Sequence, residues 1–327
     1  MKPALAIAAV WMLALANGAQ AAEPAAANFP SRPIRLIVPQ APGGSNDIMA
    51  RYIGGQLAER LGQQVVVENR AGAGGTVASE YTARSRADGY TLVVGDNGTH
   101  AVAPTLFTKL PYKVPGDFTS ISLVATFPTV IVMHPSVPAQ NVAEFVALAK
   151  SQPGKLTYSS AGTGNGSHLT VDMFLQAAGN LELVHVPYKG GAPAVQAVLA
   201  GDVQLTAVSV NTSMPHIKSG RVKALAIASL KRSPALPEVR TLAEQGVKGA
   251  EADSWLAIFG PPGIPEAVVA KLSHEIAAVL NDPPVKERLA GIGLEVVAST
   301  PAQLLAMLPG EVKKWGEAVK RSGARVD

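Results

Sequence analysis

Two glycine-rich turns hold most of the residues in this chain whose types and spacing could do chemistry. They are Pro39–Asp47 (PQAPGGSND) and Ser159–His168 (SSAGTGNGSH). Each follows a short apolar run and opens an amphipathic stretch, through Ser45 in the first and Ser167 in the second. Glycine lets backbone approach a ligand closely, and a helix N-terminus presents free N–H groups with a partial positive charge. The chemistry such turns suit is the capture of an anion. Neither turn contains a lysine or an arginine, which favours binding over catalysis.

Rival chemistries find weaker footing. No G-x-S-x-G occurs, so a serine hydrolase lacks its strained nucleophile turn. Ser45 with Asp47, and Ser167 with His168, are neighbours along a turn rather than a base poised on a nucleophile. His168 and Asp172 share a helix face at i, i+4, where a solvated pair or an N-terminal cap contact is expected rather than a metal. Gly162-Thr163-Gly164 has the start of a dinucleotide fingerprint, but the acidic residue due about 20 positions on is replaced by His185–Tyr188 (HVPY). There is no cysteine, which excludes disulfides and thiolate chemistry. No catalytic residue, metal or cofactor is therefore expected. Lys189 reads as a solvated rim residue and Trp255 as core.

The first 21 residues read as a cleavable signal peptide rather than fold. Lys2 supplies the charge, Ala4–Ala16 the apolar run and Ala19-Gln20-Ala21 the cleavage site. That run is too short to cross a membrane, which takes about 20 residues, and no later segment is long enough. The expected mature protein is soluble, exported to a bacterial periplasm and without a membrane span. Roughly 305 residues remain, enough for one large domain or two ordinary ones. Losing Lys2 leaves 27 cations (28 less one) against 24 acids, a net charge of +3. This weak excess forms no basic stripe, which argues against nucleic acid.

The elements that must position the turns alternate β-branched runs with helical periodicity. Strands are predicted at Ile34–Val38, Gln64–Glu68, Tyr90–Gly95, Thr129–Met133, Leu156–Tyr158, Leu183–Val186, Val203–Val208, Lys223–Ala228 and Trp255–Phe259. Helices are predicted at Ser45–Leu61, Thr76–Ser85, Val142–Lys150 behind an Asn141/Glu144 capping box, and Pro265–Leu280 with proline in its first position. Thr300–Gln303 caps another. Continuous apolar strands separated by helices indicate parallel sheets covered on both faces. The fold class is α/β, in two lobes: residues 22–126 plus 229–327 form the first and 127–228 the second. Ile121–Phe127 and the stretch after Ala228 are expected to join them. Ligands bind beyond the carboxyl ends of strands in such sheets, which singles out Gln40–Asp47, Asp96–His100, Ser159–His168, Pro187–Gly191, Ser209–Ser213 and Gly260–Gly263.

Arg35–Val38, Pro42–Asp47, Ala50-Arg51, Val65–Gly75 (VVVENRAGAGG), Ala87–Thr91, Gly98–Ala101, Tyr158–His168, His185–Pro193 (HVPYKGGAP), Pro215–Gly220, Arg232–Pro237 and Trp315 match a family in the right order. The chain resembles the extracytoplasmic solute receptors of tripartite tricarboxylate transporters, the Bug family. The resemblance implies a type II periplasmic binding protein fold, with two α/β lobes joined by a hinge and the ligand cleft between them. It implies a small organic carboxylate as ligand, permease subunits of a tripartite transporter as partner, and a monomer. Carried over, it points to Gln40, Ala41, Pro42, Gly43, Gly44 and Ser45 on one side of the cleft. Across from them stand Ala161, Gly162, Asn165, Gly166 and Ser167, with Thr99 and Ser209 flanking. Asp47, His100 and Ser160, in the same strand-end loops, complete the expected ligand-binding set.

Two positions depart from the family's pattern. An aromatic and a proline often precede its Pro-Gly-Gly, where this chain has Gln40-Ala41. A polar pair often stands where this chain has Val208-Ser209. Both border the cleft, which leaves the family's usual amino-dicarboxylate or citrate assignment open for this chain. Gln40 offers both a donor and an acceptor, which suits a hydroxy or amide substituent. A sensory adaptor and a periplasmic hydrolase are the competing readings.

Overall fold

The computed structural model describes residues 28–326. The signal peptide assigned to residues 1–21 lies outside the described residues. Eleven strands follow in chain order among them: β1 Ile34–Val38, β2 Val65–Asn69, β3 Thr91–Asp96, β4 Thr119–Phe127, β5 Thr129–Met133, β6 Thr157–Ser160, β7 Val184–Pro187, β8 Leu205–Ser209, β9 Lys223–Ile227, β10 Ser254–Gly260 and β11 Glu295–Val296. The α-helices are α1 Ser45–Leu61, α2 Thr76–Ala83, α3 Ala103–Leu106, α4 Val142–Ser151, α5 Gly166–Ala177, α6 Gly191–Ala200, α7 Val210–Lys218, α8 Glu266–Asn281, α9 Pro283–Gly291 and α10 Pro301–Ser322. Local chemistry sets several boundaries. Gly62 ends α1 in the left-handed conformation at φ 65°. Thr300 and Gln303 close a reciprocal capping box on α10. At α4, Asn141 accepts from the Glu144 N–H, but the Glu144 carboxylate reaches Gln140 N at 2.7 Å instead. Pro265 precedes α8 rather than opening it, with extended ψ of 136°.

Two sheets result. The first has the order β11-β4-β10-β3-β1-β2 and the second β7-β6-β8-β5-β9. Strands joined by helical crossovers pair in parallel, as β1 does with β2 and β3, and β6 with β7 and β8. The wholly parallel expectation fails at β10, β4, β5 and β9, which pair antiparallel. These strands flank the two places where the chain changes sheet. A chain passing straight from β4 to β5 through Pro128 has no crossover helix to bring it back in the original direction. Ile121–Phe127, expected to join the two series, forms most of the buried nine-residue strand β4, from which the chain passes into β5 of the other sheet.

The inner strands of each sheet are buried on both faces, which is why they read as continuous apolar runs, while the edge strands β2 and β7 are half-buried to exposed. On β1, Ile34, Leu36 and Val38 pack toward Met49 and Ile53 of α1 and Ile276 of α8, while Ile37 faces the side where Leu308 and Trp315 of α10 lie. The second sheet lies between Phe145 of α4 with Phe174 of α5, and Val195 of α6 with Met214 of α7. Each such buried side chain contributes about 1.5–3 kcal/mol.

Candidate functional site

The carboxyl ends of β1, β3, β6, β7 and β8 open on one narrow cleft between the sheets. Four helices start at its wall. Gly44 and Ser45 begin α1, Asn165 to Ser167 begin α5, Gly191 begins α6 and Ser209 precedes α7. Three of these helices, α1, α6 and α7, have no side-chain cap on their first N–H groups. Only α5 does, where Ser167 N donates to Asn165 Oδ1 at 3.1 Å. No lysine, arginine or histidine lines the cleft, and its only ionisable lining residue is Asp96. The result is a cavity rich in oriented backbone donors and poor in charge, which suits an anion's oxygens.

The first turn is clasped by Asp47. Its carboxylate, buried at 6% exposure, accepts from Gly43 N at 3.0 Å, Asn69 Nδ2 at 2.9 Å and Arg51 Nε at 3.0 Å. Burial opposes charge on Asp47, yet the hydrogen bonds from Arg51, Gly43 and Asn69 outweigh it and hold the carboxyl below the usual aspartate range. Gly43 takes φ +88°, a conformation that side chains disfavour. Asp47, Ala41, Pro42 and Gly43 therefore shape the loop and do not line the cleft.

The second turn is held by two stacked imidazoles. His168 and His185 lie with centroids 3.9 Å apart. Gly164 N donates to His168 Nδ1 at 3.1 Å, which leaves Nε2–H facing Asp172 Oδ2 at 3.4 Å. Tyr158 donates to the other Asp172 oxygen at 2.7 Å. Ser160 Oγ sits 2.6 Å from His185 Nε2 and bonds the backbone of Gly162. Burial pulls His168 and His185 down to about 4. Of the two expectations for His168 and Asp172, the solvated pair is not what forms: the pair is buried, and His168 accepts the Gly164 N–H at the N-terminal end of α5. Among the described residues no group of three or more His, Asp or Glu is placed to hold a metal.

The turns meet. Ser45 donates to Asn211 Oδ1 at 3.0 Å, so its oxygen is left to accept from Ser209 Oγ at 2.6 Å. A side chain at Gly164 (φ +70°) would collide with Leu106.

Eight expected residues line the cleft: Gln40, Gly44, Ser45, Ala161, Asn165, Gly166, Ser167 and Ser209. Gly162 lines an adjoining cavity with Gln40, Tyr188 and Lys189. Thr99, His100 and Ser160 are buried behind the wall. His100 stacks on Phe259 at 4.1 Å and burial pulls it down to about 3. Thr99 Oγ1 bonds Asp96. The expected set omits Asn46, Asp96, Asn97, Gly191 and Thr212, all within strand-end loops, and Phe127, Thr129, Val208 and Ser254. The strand-end rule already marked the first group. Phe127, Thr129 and Ser254 sit at the sheet crossings, which only the three-dimensional topology brings to the cleft.

The model of the tripartite tricarboxylate transporter family receptor matches residues 49–324. The protein BugT of Bordetella pertussis is 36% identical over 313 residues, which span 95% of this chain and 96% of BugT. MatC from Rhodopseudomonas palustris, solved with bound malate, superposes with a TM-score of 0.85 at 34% identity, covering 89% of this chain and all of that one (100%). An R. palustris protein solved with adipate gives a TM-score of 0.88 at 33% identity, over 91% of this chain and 100% of its own.

Proposed function

This chain belongs to the tripartite tricarboxylate transporter family of receptors, and from that premise we propose that it holds a small organic acid in the cleft and hands it to permease subunits in the membrane. The observation that carries the reading is the convergence of four helix N-termini on a cleft without a lysine or arginine. A hydrogen bond to a charged group nets about 1.5–3 kcal/mol, and a helix N-terminus adds about 0.3–1 kcal/mol. Four such bonds sum to about 7–16 kcal/mol before ordering costs, a range that spans the roughly 8 kcal/mol of a micromolar complex. The malate and adipate held by relatives are acids of this kind.

The protein is a receptor, not an enzyme, and the serines at the jaws fit that role. Ser45 is bonded to Ser209 and Asn211, not to a base. Residues 22–126 plus 229–327 act as one lobe and 127–228 as the other, with the jaws on opposite lobes. A ligand that bridges Gly44–Asn46 and Asn165–Ser167 stabilises the closed arrangement, and closure is what the permease senses. The site is periplasmic and the leader is cleaved at Ala21. Among the described residues no helix is long and apolar enough to cross a membrane. The working unit is a monomer.

A thermal-shift screen with mono-, di- and tricarboxylates tests the reading. A ligand at one hundred times its Kd stabilises the fold by about 2.7 kcal/mol, which raises the melting temperature by several degrees. A panel that leaves both the melt and the tryptophan fluorescence unmoved refutes it.

A further inference from the structure

One carboxylate faces the cleft, at the C-terminal end of β3. Asp96 is fully enclosed, and all of its acceptor positions are in use. Its Oδ1 accepts from Thr99 N at 2.8 Å and Thr99 Oγ1 at 3.0 Å. Its Oδ2 accepts from Gln40 Nε2 at 3.0 Å and Asn46 Nδ2 at 3.0 Å. Asn46 Nδ2 gives its second proton to Val94 O at 3.3 Å. Every partner of these two amides is an acceptor, so only their NH₂ groups can face inward. Their carbonyl oxygens must then point away from Asp96. Neither Gln40 Oε1 nor Asn46 Oδ1 accepts a hydrogen bond from a described residue, and both side chains line the cleft. Gln40 Oε1 lies beside Gly44, at the start of α1.

A second, independent observation points to a ligand in the same place. Asn97, next along the chain and only 5% exposed, lines the cleft with an Nδ2 that has no partner. The cleft is therefore divided. The helix N-termini, with the unpartnered Asn97 Nδ2 packed behind Gly166 at the start of α5, form the donor side, and Gln40 Oε1 with Asn46 Oδ1 offer acceptors. A carboxylate satisfies the first group and repels the second. A substituent that carries a proton satisfies the second.

We propose that Asp96 is a positioning residue for ligand selection: by orienting the Gln40 and Asn46 amides it makes the cleft prefer an organic acid bearing a hydroxyl or ammonium donor over the plain acid of equal length. The inference rests on the carboxylate reading above. A buried acceptor left without a donor weakens a complex by about ten-fold or more, so the plain acid carries that handicap. Replacing Asp96 by asparagine removes the demand for donors. The Gln40 or Asn46 amide is then free to turn over, and the preference collapses.

Calorimetric titration of the wild-type protein, Asp96→Asn and Gln40→Met with two series tests this. One is succinate, malate and aspartate; the other is adipate, 2-hydroxyadipate and 2-aminoadipate. The expected result is that wild type binds a hydroxy or amino acid at least ten-fold more tightly than the plain acid of the same series. The two arms tell hydroxyl from ammonium. Asp96→Asn should bring that ratio to within about three-fold, and Gln40→Met should lower it with Asp96 still in place. A merely structural role would weaken all acids alike and leave the ratio where it was, which overturns the proposal. Equal wild-type affinity for plain and substituted acids overturns it too and leaves the carboxylate reading intact. No binding of any acid refutes that reading, and this inference with it.

Discussion

The two jaws of the cleft do the same mechanical task with opposite electrostatics. Asp47 clasps the first through a charged network, taking Gly43 N, Asn69 and Arg51. The second is propped by neutral imidazoles, with His168 accepting from Gly164 N and Ser160 tied to His185. A carboxylate that must stay charged is kept charged by donors from three directions, and an imidazole that must accept at Nδ1 is kept neutral by burial. Neither clasp reaches the cleft itself, so each jaw shows the ligand backbone and small polar groups while the groups that titrate stand behind.

The largest effect should come from breaking the charged clasp. Asp47→Ala strands Gly43 N and leaves Asn69 one acceptor short, and removing one side of a buried charge-assisted set costs about 3 kcal/mol. Urea denaturation should show that loss. A cost under about 1 kcal/mol would mean that the first jaw holds its shape without the clasp.

The neutral prop should matter somewhat less. His168→Ala removes the acceptor for Gly164 N and half of the imidazole stack, an expected loss of about 2 kcal/mol. His168→Gln keeps an acceptor within reach of Gly164 N and should recover about half of that. If both variants melt alike, the hydrogen bond to the turn is not what His168 contributes.

Acid should separate the jaws in order. Burial lowers His168 and His185 to about 4 from an ordinary value near 6.5, so between those values the unfolded chain binds more protons than the folded one. Stability supplied by the imidazoles is complete above about pH 6.5 and is lost as pH falls toward 4. Asp47, held below its usual range, contributes stability that persists through that window and is lost only at more acid pH. Asp172 and Asp96, raised by the same burial, work in the opposite direction near the acid end. The difference between wild type and His168→Gln therefore isolates the imidazole. Unfolding free energies from urea titrations at pH 7, 6 and 5 should fall more steeply for wild type, by about 2 kcal/mol over the range. Parallel lines would show that His168 does not set the acid limit of the second jaw.

How much of this was legible in the sequence follows from the same contrast. α1 and β5 were readable to the residue because their signals are local: a glycine stop, and a β-branched run between breakers. The antiparallel strands were not, since β4 and β10 owe their direction to where the chain changes sheet. The turns were readable as anion-ready helix starts. Yet Asp47, His100 and Ser160, expected among the ligand-binding residues, lie outside the lining of the cleft, because a strand-end loop does not reveal which of its side chains fold back on the backbone. Asp96 lay in a marked strand-end loop, but its role was not legible there, because the Gln40 and Asn46 amides that share it come from about 50 residues earlier in the chain.

The smallest expected effect concerns the bridge between the jaws. Ser45 donates to Asn211 and accepts from Ser209, which in turn sits 2.9 Å from Thr212 Oγ1. These are neutral hydrogen bonds, each worth about 0.5–1.5 kcal/mol net. In the open form both hydroxyls exchange this partner for water, so their loss should shift closure more than folding. Ser45→Ala and Ser209→Ala should each weaken ligand binding by about three-fold. The double variant should be little worse than either alone, which a double-mutant cycle reads as a coupling of about 0.7 kcal/mol. Additive losses would mean that each serine meets the ligand separately. The jaws would then be joined through the acid they hold, not through each other.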